Sequence, residues 1–222
     1  MQRITTCAAV ALATLLAAGL TSGCSPSGGS TASVSAATTA PVNGEAAAAL
    51  KRDMRKLWTD HVVWTRVYVM DAIADQPDAG AAANRLMKNQ EDIGAAVAKF
   101  YGAPAGQQMT TLLKEHISIA VDLIKAAKAG DKTGQKAADD RWQQNAEQIA
   151  TFLSGANPNL PKATVLDLMK THLKTTTDEV VARLTKKWDD DVQAFDRVYD
   201  HILTMSDAIS DGIVKQFPDK FK

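Results

Sequence analysis

The chain carries four histidines, and three of them, His61, His116 and His172, recur at nearly equal intervals. Each stands four positions after a leucine (Leu57, Leu112, Leu168) on an apolar stripe of helical period. On such a stripe the imidazole points inward with its apolar neighbours, Met54, Trp58 and Val62 in the case of His61. His172 and His201 flank the last predicted helix pair's turn at nearly equal distances along the chain. At the rise of an α-helix, about 1.5 Å per residue, the two meet at one height on antiparallel neighbours. Neutral imidazole is the commonest ligand of zinc, copper, nickel and iron, and helical-bundle cores are habitual metal sites. The chemistry these residues point to is therefore a transition-metal site, or a small polar pocket, built from His61, His116, His172 and His201.

Around that layer the sequence offers orienting groups. Asn89 and Asn145 occupy the positions equivalent to His201, and Arg85, Arg141 and Arg197 recur at one constant interval. Asp178 and Glu179, nearly two turns beyond His172, are placed to orient an imidazole rather than to share a metal with it. Asp60 and Glu115, each directly before a histidine, point about 100° away around the helix. No H-E-x-x-H, E-x-x-H or C-x-x-C spacing accompanies the histidines. Two further readings thus stay open: a polar core layer that satisfies its own hydrogen bonds, in a structural or protein-interaction module, and a histidine-based metalloenzyme with an open coordination position.

The elements that must position these residues are helices. From Glu45 onward, apolar residues recur at three and four positions among Ala, Leu, Lys, Glu, Gln and Met, with no sustained alternation. Breakers at Gln76-Pro77-Asp78, Gly102-Ala103-Pro104, Ala129-Gly130-Asp131 and Gly155 to Pro161 predict helices over 45–76, 79–101, 104–129, 133–154, 161–185 and 188–216. Only the boundary at Thr185 to Asp189 lacks glycine or proline.

The expected fold is an all-α six-helix bundle of three αα-hairpin repeats, each about eight heptads long. Aligned on the histidines, Met54, Met109 and Val165 fall together, as do Trp58, Leu113 and Met169, and Val62, Ile117 and Leu173. At an interval of whole heptads, apolar rows alone coincide without common origin. Recurring polar positions carry more weight. A closed bundle, rather than an open stack, is what brings the histidines together.

Residues 1–23 read as a secretion signal: Arg3, an apolar run from Cys7 to Leu20, then Thr21-Ser22-Gly23 before Cys24. The segment resembles a bacterial lipobox, with Thr21 where a leucine is usual. The resemblance implies cleavage before Cys24 and lipidation of that residue. Residues 24–44 are the lipidated cysteine and a Ser/Thr/Ala/Pro-rich tether, reaching about 25 Å by flexible-chain scaling, and 45–222 form the folded domain. The implied location is the cell envelope, on the outer face of the cytoplasmic membrane or in the outer membrane. The mature chain has no second cysteine, so its core must hold by packing.

Loss of Arg3 from the 25 basic residues leaves 24 against 25 acidic. That balance argues against nucleic acid or another polyanion as partner. The expected partners are the membrane, through the lipid, and an envelope protein.

The segments L-W-T-D-H-V-V-W-T-R (57–66), N-Q-E-D-I-G (89–94) and L-L-K-E-H-I (112–117), with the ending D-G-I-V-K-Q-F-P-D-K-F (211–221), are similar to those of a family of bacterial envelope proteins. The resemblance spans nearly the whole folded domain and implies the same all-helical fold, with no activity to carry over. No strand, glycine-rich loop or nucleotide motif supports a transferase or kinase. Trp58, Trp64, Trp142 and Trp188 read as packing, and the Asp189-Asp190-Asp191 run as a helix start rather than a calcium site.

Overall fold

The computed structural model describes residues 44–222; the expected secretion signal, Cys24 and nearly all of the expected tether lie outside the described residues. Six helices follow in order: α1 Gly44–Ile73, α2 Ala79–Tyr101, α3 Ala103–Lys128, α4 Lys132–Ala156, α5 Lys162–Leu184 and α6 Trp188–Gln216, with a 3-10 turn at Pro218–Phe221. No strand occurs among the described residues, and none of these helices is long and apolar enough to cross a membrane. The expected all-α bundle is what forms. Each helix packs against its neighbour in sequence, and α1 packs against α6, so the three hairpins close into a ring.

The turns explain the helix ends. α1 stops at Ile73, short of the predicted residue 76, because Asp75 takes the left-handed conformation (φ 54°) and the Gln76 N–H donates back to the Asp71 carbonyl at 2.8 Å. The same device ends α3, with Gly130 at φ 71° and Asp131 N–H on Ala126 O, and α5, with Lys186 at φ 57° and Lys187 N–H on Ala182 O. A left-handed residue after the last turn satisfies orphan helix carbonyls whatever its identity. That is why the chain reverses at Thr185–Trp188 without glycine or proline.

Inside the ring the aligned rows are all buried: Met54, Met109 and Val165; Trp58, Leu113 and Met169; Val62, Ile117 and Leu173. Between α2 and α3 the backbones approach closely at Gly94 and Gly106. A Cβ on Gly106 would stand 2.6 Å from Ala98 Cβ and from the Gly94 carbonyl. These glycines, without a role in the sequence pattern, set that helix crossing.

Candidate functional site

One polar layer interrupts this apolar interior. His61 on α1, His116 on α3 and His172 on α5 form a triangle, with ring centroids 6.4 Å apart for His61 and His116, 5.6 Å for His61 and His172, and 5.9 Å for His116 and His172. His201 on α6 stacks on His172 at 6.4 Å. The first three are 2–4% exposed.

Hydrogen bonds assign a role to most ring nitrogens. The Asn145 amide donates to Leu112 O, leaving its Oδ1 as acceptor, so the His116 Nδ1–H donates to it at 2.8 Å. The Trp142 indole N–H then donates to His116 Nε2 at 3.1 Å, and both nitrogens of that ring are used. For His61, Gln90 is the partner. The Gln90 amide nitrogen donates to Leu86 O and Asn89 Oδ1, so its oxygen accepts from His61 Nδ1–H at 3.2 Å. His61 Nε2 is thereby left as a bare lone pair.

On α6, His201 Nε2–H donates to Leu168 O at 2.8 Å. Asn89 and Asn145 make the corresponding bonds to Leu57 O and Leu112 O, both at 3.0 Å. Three hairpins thus tie their second helix to the carbonyl of the leucine that precedes each core histidine. His172 differs from the others, since its buried Nδ1 has no partner.

Burial holds these rings neutral. Desolvation lowers His61 to about 4 and, with the neighbouring His61 ring adding to it, His116 to about 3. His172 lies well below the ordinary histidine value, first through desolvation and then through the surrounding imidazoles.

A cavity of about 90 Å³ opens beside the triangle, between α3, α4 and α5. His61, His116 and His172 line it together with Trp142 and Thr176, and apolar side chains such as Ile117, Leu123 and Val180 complete its wall. No carboxylate, lysine or arginine lines it. Thr176 Oγ1 is buried and unpartnered. Its counterpart Thr65 donates back to His61 O at 2.8 Å, the ordinary habit of a threonine inside a helix.

The remaining predicted residues stand elsewhere. Asp178 pairs with Lys174 and Arg141 with Asp122, both pairs on the surface. Arg197 is exposed, and Arg85 reaches Asp60 at 3.4 Å while lying over the Trp64 ring. None of these four is hydrogen-bonded to an imidazole: Asp178, Arg141 and Arg85 are turned to ion-pair partners, and Arg197 is exposed. Glu179 is buried, but it accepts from Arg66 Nη1 at 2.8 Å, and Arg66 also pairs with Asp191 at 2.9 Å.

Two partners escaped the sequence reading, Gln90 and Trp142. Trp142 sits three positions before Asn145 and shares its face, a signal that was available. Gln90 follows Asn89 directly, and no period marks it.

Among the described residues no three His, Cys, Asp or Glu side chains are grouped to hold a metal ion. His116 is engaged at both nitrogens and His201 at Nε2, which leaves the His61 Nε2 lone pair and the His172 ring uncommitted within the triangle. Comparison with protein-family models, with curated proteins and with solved structures gives no match.

Proposed function

We propose that the domain binds a small neutral ligand in the cavity beside His61, His116 and His172, and acts by capture or sensing without turnover. The observation that carries this reading is the pair of buried, unpartnered polar groups, His172 Nδ1 and Thr176 Oγ1, on two residues that line one cavity. Buried polar groups are almost always paired, and an exception at a cavity wall points to something that enters it. The lipobox-like segment ending at Cys24 supports an envelope lipoprotein that displays this domain on a short tether.

A transition metal at the four histidines is the less favoured reading, for two reasons. It requires His116 to give up the Trp142 bond at its Nε2, and it buries a cation in a cavity lined by no carboxylate. A satisfied polar layer in a purely structural or interaction module is the second reading. It is favoured by the recurring bonds from Asn89, Asn145 and His201 to leucine carbonyls.

The experiment is cavity filling. Ala120 lines the pocket, and Ala120→Leu puts a side chain into it. Wild-type protein is expected to gain thermal stability from five-membered-ring probes, while the folded Ala120→Leu protein does not respond. Metal analysis after saturation with zinc, copper, nickel and iron is expected to give less than one ion per chain. A wild type that no probe stabilises leaves the structural reading, and stoichiometric metal uptake that vanishes when the histidines are replaced restores the metal.

A further inference from the structure

Resting on the cavity reading above, the polar groups on the wall also define what the ligand must carry. Most are already committed. Thr65 and Thr177 donate to the carbonyls of His61 and Leu173, and the Trp142 N–H is given to His116. Gln135, at the mouth, is tied to Ala126 O and Lys132. Three groups remain to meet a ligand: His61 Nε2, the His172 ring and the Thr176 hydroxyl.

Their roles differ. The chain from Leu86 O through Gln90 to His61 Nδ1 leaves Nε2 able only to accept. His172, as a neutral ring without a partner on Nδ1, brings one N–H and one lone pair. Thr176 has departed from the usual bond to the carbonyl four residues back and can donate from its hydroxyl.

We infer that the ligand is a compact neutral molecule bearing an N–H or O–H donor beside an acceptor, its donor resting on His61 Nε2 and its acceptor on the Thr176 hydroxyl. An acceptor-only molecule meets the lone pair of His61 with another lone pair, and a hydrocarbon leaves all three groups unmet. Size sets the rest. One water needs about 10–15 Å³ of such space, so a cavity of about 90 Å³ takes a body of no more than about six to nine heavy atoms, and a five-membered ring fits. Charged ligands are excluded, since no ionised side chain lines the wall to compensate them.

The test uses four rings of nearly one shape: pyrazole, which donates and accepts, pyrrole, which donates, furan, which accepts, and cyclopentane, which does neither. Binding to the purified protein is measured by calorimetry and by the ¹⁵N shifts of the imidazoles. Pyrazole is expected to bind tightest, with furan and cyclopentane at least about tenfold weaker than pyrrole, the factor that one unmet buried hydrogen bond produces. In Thr176→Val, a change of nearly constant volume, pyrazole is expected to lose its advantage over pyrrole while cyclopentane binds as before.

Furan or cyclopentane binding as tightly as pyrrole overturns the donor requirement and leaves the cavity reading standing. No binding by any of the four overturns both. Binding that shifts no imidazole resonance places the ligand elsewhere and overturns both as well.

Discussion

Burial of the three core imidazoles makes the fold sensitive to acid. An unfolded histidine takes up a proton near 6.5, whereas folded His61 resists until about 4, His116 until about 3, and His172 likewise lies well below the ordinary value. Folded values below unfolded ones mean that acid favours the unfolded chain. Stability is therefore whole above about 6.5 and falls as the pH drops from there toward 4. Glu179 works the other way. Burial raises it to about 7 despite Arg66, so between 4.5 and 7 the folded state holds a proton that the unfolded state releases.

Three imidazoles against one carboxyl leave a net proton uptake on unfolding, and urea midpoints measured from pH 7 to 5 are expected to fall. Replacement of His172 by Phe is expected to flatten that profile, provided the variant folds; an unchanged slope in a folded variant contradicts the assignment. Gln90 and Trp142 show why residue-scale bonds were only partly legible. The inward direction of each histidine follows from period, but the partner of each nitrogen depends on the rotation of a neighbouring helix about its own axis.

At the scale of the element, the three left-handed stops at Asp75, Gly130 and Lys186 do one task with unequal ease. Glycine adopts that conformation freely, while a side chain there costs about 1–2 kcal/mol. Lys186→Gly is expected to raise stability by about 1 kcal/mol in equilibrium denaturation, with the helix content unchanged; a loss would show that the lysine makes contacts that outweigh its backbone strain. The helices themselves were legible to within a turn at every end, because proline, glycine and apolar period act locally. The α5–α6 reversal was not marked by composition, since its closing bonds depend on backbone geometry that Lys186 adopts under the pull of the packed helices on either side.

At the scale of the whole molecule, a buried ionic clasp bridges the seam where the ring closes. Arg66 on α1 reaches Glu179 on α5 and Asp191 on α6, stacks over the Phe195 ring at 4.7 Å, and shares Asp191 with Arg183. Arg66→Met leaves two nearly fully buried carboxylates with Arg183 as the remaining cation and is expected to cost about 3–5 kcal/mol, read from urea unfolding. A cost under about 1 kcal/mol would place Arg66 with the surface ion pairs such as Lys136 with Asp140. The clasp also accounts for where the cavity lies. Aligned on the histidines, Arg66 corresponds to Val121 and Thr177, and Asp191 to Gln135. Between the first and third hairpins charged groups and Phe195 fill the seam, whereas between the second and third the shorter Thr177 and the outlying Gln135 leave space down to the imidazoles.

Helix number, helix ends, the inward histidines and the near-neutral charge were set by the chain's own order of residues, for each depends on period, breakers or a count. The apolar stripes also made a closed bundle the expected assembly, and α1 against α6 is how it closes. The tertiary structure alone decided that His116 and His201 direct their hydrogen bonds to the protein, that His172 Nδ1 and Thr176 Oγ1 do not, and that a cavity reaches the imidazoles between the second and third hairpins. Those outcomes arise from distances between side chains far apart along the chain. Histidines spaced by nearly whole heptads reach one height in the bundle, but the spacing says nothing about which lone pair faces which proton.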